Sequence, residues 1–232
     1  MKKKLTTDLF VYIATPILLC NVFDDKYLIH VAIISIIICI IYSIVSIRKI
    51  RRINVSASII FIIYLVINLL KKNIISDYHR YIYDTGSLIV IAILIIIANY
   101  FGKNVVREVY QDALKSGGYS ILCIYSVLKK NKVDTEFNKL SNLILMNMLF
   151  LSFLKIYSIG VYGEANYYNT SSLEMLVELC FLTAELYFLN LIVLKTKSDF
   201  RSYDIKKNRR RYKSVDDKKR IISLIEYKEV NK

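Results

Sequence analysis

The sequence predicts an all-α, polytopic membrane protein, a six-helix transmembrane bundle with cytoplasmic interfacial amphipathic helices. The chain has 232 residues, of which 55% are hydrophobic; this is too apolar for an ordinary soluble domain and long enough for several spans. Four positive charges also lie within residues 48–52, where they interrupt an otherwise apolar run over residues 27–70. Charges at this density are excluded from a hydrocarbon core, so residues 48–52 are predicted to form a cytoplasmic turn between two spans.

Six apolar runs are predicted to cross the membrane. At about 1.5 Å of rise per residue, the runs over residues 27–47 and 53–70 match a hydrocarbon core of roughly 30 Å. The first run is short and contains Pro16, so we expect a kink or a tilted helix there. The predicted spans cover about residues 9–23, 27–47, 53–70, 81–101, 140–161 and 173–194. They form a transmembrane domain over residues 1–195, followed by a basic cytoplasmic tail over residues 196–232.

Residues 103–139, between the fourth and fifth predicted spans, have a different pattern. From Val105 to Leu114, apolar residues recur at helical spacing between charged ones, which is typical of an amphipathic helix. Gly117 and Gly118 end this helix, and the ten mostly apolar residues over 119–128 are too few for a span. We expect both pieces to lie along the cytoplasmic membrane surface, with apolar faces towards lipid and lysines over anionic headgroups.

The distribution of basic residues fixes the predicted orientation. With the N-terminus inside, 28 of the 33 lysines and arginines lie in cytoplasmic segments and four lie outside. Such an asymmetry follows the positive-inside rule. Tyr78, Tyr81 and Tyr167 lie where this arrangement places the outer interface, as an aromatic belt should. We therefore predict a multi-pass protein of the cell membrane with its N-terminus and C-terminus in the cytoplasm.

Three acidic residues, Glu174, Glu178 and Glu185, lie in the sixth predicted span. At about 100° per residue they share one helix face. An acidic side chain at the centre of a span costs about 3 kcal/mol on insertion scales, so this face is expected to contact protein or water.

Depth within the bilayer suggests partners for these carboxylates. Lys155 and Glu178 lie at similar depth in the outer half of their spans, which predicts an ion pair with Asp84 nearby. Glu185 lies near mid-membrane, at the depth of Asn147, which predicts a hydrogen bond. The acidic face is interpreted either as an ion, proton or polar-substrate path or as a set of packing contacts, and the sequence leaves both open.

Basic residues of the turn and of the tail form the predicted cytoplasmic surface. Their partners are expected to be anionic lipid headgroups, membrane proteins or a second copy of the chain, while nucleic acid is not expected, because acidic residues are mixed into the tail and no nucleic-acid-binding fold is visible. The residues are Arg48, Lys49, Arg51, Arg52, Arg209, Arg210 and Arg211.

Signatures of catalysis are missing from the sequence. His30 and His79 have no metal-ligand spacing to cysteine or carboxylate, and no glycine-rich phosphate loop occurs. We predict no catalytic, cofactor-binding or metal site. A membrane enzyme acting on lipid, through the outer group around His79 and Arg80, is kept as a third alternative.

Several short motifs over residues 10–194 resemble the small bacterial inner-membrane proteins related to intracellular septation protein A. The motifs are Ile41-Tyr42-Ser43 before Arg48-Lys49, Tyr81-Ile82-Tyr83 with Gly86, Gly102-Lys103 before an amphipathic stretch, and Asn138-Lys139-Leu140-Ser141-Asn142. The resemblance implies a multi-span envelope protein, without known catalytic residues, that is linked to cell division and envelope integrity. Residues 115–134 and the basic tail depart from the family pattern. We expect a non-enzymatic protein, and the alternative is a small transporter or channel component that uses the acidic face.

Overall fold

The computed structural model describes residues 2–16, 28–50 and 52–230, with side chains for residues 6–16, 29–48 and 52–203. The predicted all-α class is confirmed, since the described residues are about 90% helical and include no strand. The helices are α1 (Lys2–Leu9), α2 (Leu28–Ile50), α3 (Val55–Lys71), α4 (Asp77–Tyr100), α5 (Val105–Ser116), α6 (Ile121–Lys130), α7 (Asp134–Asn166) and α8 (Ser171–Val230). A π-helical turn (Phe10–Ala14) extends α1, and a 3-10 turn (Tyr167–Thr170) joins α7 to α8.

Three helical segments are long and apolar enough to cross a membrane by length and composition: Ile29–Arg48, Asp77–Tyr100 and Asp134–Tyr203. The first two coincide with the second and fourth predicted spans, while the fifth and sixth both lie within the third segment. Helix α3 is apolar but shorter. Residues 17–23 of the first predicted span lie outside the described part of the chain. Residues 9–16 are described, and the π-helical turn (Phe10–Ala14) shortly before Pro16 gives them irregular helix geometry.

Helices α7 and α8 fold back on each other as an antiparallel hairpin. Gly163 (φ +63°) interrupts α7 near its C-terminal end, with a backbone conformation that glycine adopts readily. The antiparallel register is marked by three polar contacts: Lys155–Glu174 at 2.9 Å, Asn147–Glu185 at 3.4 Å and Glu136–Lys195 at 2.5 Å. The long third segment therefore supplies two apolar lengths side by side.

Apolar side chains cover much of the outer surface of the long helices. Ile41 on α2, Ile62 on α3 and Val90 on α4 are 57%, 57% and 55% exposed. Soluble monomers rarely expose contiguous apolar surface on this scale. The surface is compatible with a membrane protein, which is the general class that the sequence predicts.

Helix α5 contacts helices from both the earlier and the later part of the chain. It begins at Asn104, whose side chain accepts a hydrogen bond from the Arg107 N–H at 3.0 Å and so stabilises the helix N-terminus. Its apolar face is buried, with Tyr110, Ala113 and Leu114 each 2% exposed, and it contacts α1, α3 and α7. The expectation that this face lies against lipid is therefore corrected: protein covers it. Helical periodicity identifies an apolar face but does not determine what packs on it.

A hydrophobic core joins α5, α6, the start of α7 and residues 192–200 of α8. We call it the inner core, and this end of the bundle the inner end, after the cytoplasmic side that the sequence predicts for residues 103–139. Side chains from all four helices are almost fully buried in it, including Leu114, Ile124, Leu128, Phe137, Ile192 and Phe200. Helix α6 also has an outward apolar face, on which Leu122 is 82% exposed and Tyr125 is 55% exposed. The segment over residues 103–139 is thus a packed inner subdomain. Within this segment, the large apolar side chains that are exposed all belong to α6.

Candidate functional site

Three polar clusters lie at different levels of the helix bundle. The outer cluster, at the end of the bundle opposite the inner core, joins α4, α7 and α8 around an ion pair between Lys155 Nζ and Glu174 Oε2 at 2.9 Å. Glu174 Oε1 accepts hydrogen bonds from the Tyr81 hydroxyl and from Thr170 Oγ1, the latter at 2.7 Å. Lys155 Nζ also lies 4.0 Å from the centre of the Tyr81 ring, a cation–π contact. Each charge therefore has more than one partner although both side chains are largely buried.

The predicted ion pair between Lys155 and Glu178 is wrong, because Lys155 binds Glu174, one helical turn nearer the outer end of α8. Tyr81 and Thr170 stabilise the Glu174 carboxylate, and no comparable donors contact Glu178 among the described side chains. Asp84 belongs to a different pair, since its carboxylate binds Lys71 Nζ at 2.7 Å at the end of α3. Glu178 itself is exposed on the surface of α8.

The middle cluster contains the predicted contact between Asn147 and Glu185, which is confirmed: Asn147 Nδ2 donates to Glu185 Oε1 at 3.4 Å. The Asn147 Oδ1 atom is buried without a hydrogen-bond partner in the described part of the chain. The Phe150 and Phe181 rings, 6.5 Å apart, lie between this contact and the outer cluster. Apolar side chains therefore separate the two polar levels along the α7–α8 interface.

The inner cluster was missed by the sequence analysis. Asp8 on α1 is fully buried, and its carboxylate accepts hydrogen bonds from the Tyr42 hydroxyl, from Ser116 Oγ at 2.8 Å and from Asn54 Nδ2 at 3.4 Å. Asn54 also caps α3, because its Oδ1 accepts the Ala57 N–H at 3.0 Å. The cluster ties α1, α2, α3 and α5 together. A lone acidic residue just before an apolar run was the signal in the sequence.

Asp112 makes a second polar contact between α5 and α3. Its Oδ2 accepts hydrogen bonds from the Ser56 N–H at 3.1 Å and from Ser56 Oγ at 2.5 Å, and its Oδ1 binds Lys115 Nζ at 2.8 Å. Burial alone would raise the pKa of Asp112, but the hydrogen bonds from Lys115 and Ser56 outweigh it and lower the pKa below its ordinary value of 3.8. The ionised carboxylate therefore stabilises the N-terminus of α3.

The stability that ionised Asp112 provides is expected to depend on pH. Because the folded-state pKa is lowered, this stability is fully present above the ordinary value of 3.8 and is lost as pH falls through the folded-state pKa. Asp112→Asn should cost about 1–2 kcal/mol at neutral pH and should flatten the acid limb of the stability curve. Unfolding followed by circular dichroism in detergent, from about pH 3 to pH 7, measures both effects. Asp134→Asn, at a more exposed aspartate, is the control, and parallel acid limbs for wild type and Asp112→Asn would contradict this role.

The predicted basic surface is only partly within the described side chains. Arg48 and Arg52 are exposed at the turn between α2 and α3. The side chains of the other five predicted residues lie outside the described set: Lys49, Arg51, Arg209, Arg210 and Arg211.

The outer group proposed for lipid chemistry does not converge on one point. Arg80 binds Asp77 at 3.3 Å and the Ile74 carbonyl at 2.8 Å, whereas Asp84 binds Lys71. Within the described residues, no three histidine, cysteine, aspartate or glutamate side chains are grouped as they would be around a metal ion.

Comparison with known proteins gives no relative: no family model, no curated protein and no solved structure matches this chain.

Proposed function

We propose that this chain is a six-span, multi-pass protein of the bacterial cell membrane, with both ends in the cytoplasm. It acts without catalysis, through lipid, through membrane-protein partners or through a second copy of itself, in septation or envelope integrity. The resemblance to septation protein A relatives motivates this role, and the packed inner subdomain is the observation that carries it.

Six spans agree with the lengths and connections of the helices. The 17 residues of α3 extend about 26 Å at 1.5 Å per residue, close to the roughly 30 Å of a hydrocarbon core. The α7–α8 hairpin supplies two further lengths, and both of its inner ends join the inner core. In this arrangement residues 103–139 lie on the cytoplasmic side.

The inner subdomain favours a role in binding. A surface loop would not need a core shared by four helices, whereas a stable platform can present a fixed surface to a partner. Its outward face on α6 exposes Ile121 (61%), Leu122 (82%) and Tyr125 (55%), with Lys129 one turn further along. Exposed apolar patches with a charged rim are typical of interaction sites.

Membrane topology is tested by labelling single cysteines with a membrane-impermeant maleimide in intact cells. In a chain whose four native cysteines are replaced by serine, Ile75→Cys, at a 96% exposed position of the outer loop, should label directly. Lys132→Cys, in the inner subdomain, should label only after permeabilisation. The reverse pattern would contradict the proposed orientation.

The role in septation is tested by complementation. Leu122→Asp with Tyr125→Asp should leave membrane levels unchanged, because both side chains point away from the core, and should fail to restore cell length and septum formation in cells that lack the protein. Ile75→Asp, at the outer loop, is the matched control and should complement. Full complementation by the double variant would contradict a binding role for this face.

A transport function is the second candidate, favoured by one observation: Glu178 and Glu185 lie in a helix that crosses the membrane in this arrangement, and Asn147 Oδ1 has no hydrogen-bond partner among the described residues. The Phe150–Phe181 contact opposes it, because a path along this interface would cross apolar side chains. Cation and proton flux into proteoliposomes, compared between wild type and Glu185→Gln, separates the candidates. Flux that is abolished by Glu185→Gln would establish transport.

A further inference from the structure

The exposed face of α8 changes its chemistry at Leu194. Towards the outer end this face is apolar, with Tyr187 63% exposed and Leu194 57% exposed. Directly after Leu194 it becomes basic and hydroxylated. The exposed residues at this point are Leu194, Lys197, Ser198, Arg201 and Ser202.

Helix geometry places these side chains on one strip. At about 100° per residue, Leu194 and Arg201 lie within roughly 20° of each other around the helix axis, with Lys197 and Ser198 on either side. Lys197 lies about 4–5 Å and Arg201 about 10 Å beyond Leu194 along the axis. If Leu194 marks the end of the hydrocarbon core, these two cations lie at the level of the lipid headgroups.

Within the described side chains, no carboxylate forms an ion pair with the two cations of this strip. Asp199 lies on the opposite side of α8, where it binds Lys130 at 2.7 Å and Asn131 at 2.7 Å. Lys195 is paired with Glu136. Lys197 and Arg201 are exposed, and neither has an acidic partner among the side chains that the structure describes. The strip is therefore an electropositive surface next to an apolar one.

We propose that this strip of α8 binds an anionic glycerophospholipid from the inner leaflet. Arg201 and Lys197 donate to the phosphate oxygens, the Ser198 hydroxyl adds a neutral donor, and an acyl chain lies along Leu194 and Tyr187. Arginine is suited to this contact because its planar guanidinium can donate two hydrogen bonds to one phosphate. The inference rests on the proposed membrane arrangement, because it requires that α8 crosses the bilayer and that residues 197–202 lie on the cytoplasmic side.

Native mass spectrometry of the full chain in detergent, titrated with dioleoyl phosphatidylglycerol or dioleoyl phosphatidylcholine, tests the site. Wild type should retain one phosphatidylglycerol in preference to phosphatidylcholine. Lys197→Gln with Arg201→Gln should weaken phosphatidylglycerol retention roughly fivefold for each removed cation, about 25-fold in total. Lys132→Gln with Lys139→Gln removes two exposed cations elsewhere on the inner subdomain and the start of α7, and should leave retention unchanged.

Three results would overturn the proposal. Equal weakening in the control variant would indicate general electrostatic attraction, and equal retention of phosphatidylcholine would indicate apolar contact alone. Displacement of the lipid by an equimolar amount of glycerol phosphate would indicate a site for a free anion. Ser198→Ala, expected to weaken retention severalfold, provides the same test if the double variant is not recovered. If the wild-type chain fails to retain phosphatidylglycerol but complements cells that lack the protein, this site alone is contradicted. If it retains the lipid but fails to complement, the septation role alone is contradicted.

Discussion

Replacing Lys155 with methionine is expected to lower the free energy of unfolding by about 3 kcal/mol. Methionine keeps most of the apolar length of the side chain but leaves the Glu174 carboxylate, which is only 13% exposed, without its cation. The hydrogen bonds from Tyr81 and Thr170 remain, which places the loss at the lower end of the range for a broken buried ion pair. Unfolding in mixed micelles with increasing sodium dodecyl sulfate measures the change.

A double-mutant cycle identifies the partner of Lys155. Adding Glu174→Gln to Lys155→Met should recover part of the lost stability, because the uncompensated charge is removed with its partner. Glu178→Gln is the matched control, since Glu178 is exposed on the same helix face, and it should change stability by less than about 0.5 kcal/mol. Stronger coupling of Lys155 to Glu178 than to Glu174 would contradict the observed ion pair.

Asp8→Ala is expected to destabilise the fold by about 3–5 kcal/mol and to release the N-terminal helix. The substitution removes the fully buried carboxylate that accepts hydrogen bonds from Tyr42, Asn54 and Ser116. Ser116 Oγ and Asn54 Nδ2 keep a second acceptor in the Ala113 and Val109 carbonyls, respectively. Each buried group that loses its partner costs about 1–3 kcal/mol. The same unfolding measurement, together with the rate of limited proteolysis within residues 2–16, reports both effects.

Two variants set the scale for this result. Thr6→Ala, at an exposed position on the same helix, should leave stability and proteolysis unchanged. Asp8→Asn retains one acceptor oxygen and the shape of the side chain, so its cost should lie below that of Asp8→Ala. If Asp8→Ala behaved like Thr6→Ala, the inner cluster would not hold α1 in place.

Sequence reasoning located features that depend on one helix at a time. Apolar runs predicted the positions of α2, α4 and the two helices of the α7–α8 hairpin, because the thickness of a hydrocarbon core sets the number of apolar residues that a span needs. The contact between Asn147 and Glu185 was predicted from depth alone, because two helices of known length and antiparallel direction fix approximate depth.

The ion-pair partner of Lys155 was predicted wrongly, because the two candidate glutamates are only one helical turn apart. Glu174 and Glu178 share a face and differ by about 6 Å along the axis, a distance that a long lysine side chain can cover. Glu174 is favoured as the partner because Tyr81 on α4 and Thr170 in the turn before α8 donate hydrogen bonds to its carboxylate. Neither contact can be read from the periodicity of α8.

The sequence by itself determined the all-α class, the position of the apolar helices and the asymmetry of the basic residues, because each follows from local composition and spacing. Only the tertiary structure decided that the apolar face of α5 is covered by protein, that Asp8 joins four helices, and that Lys155 binds Glu174. Those contacts join residues distant in sequence, and they depend on how the helices rotate and stagger when they pack.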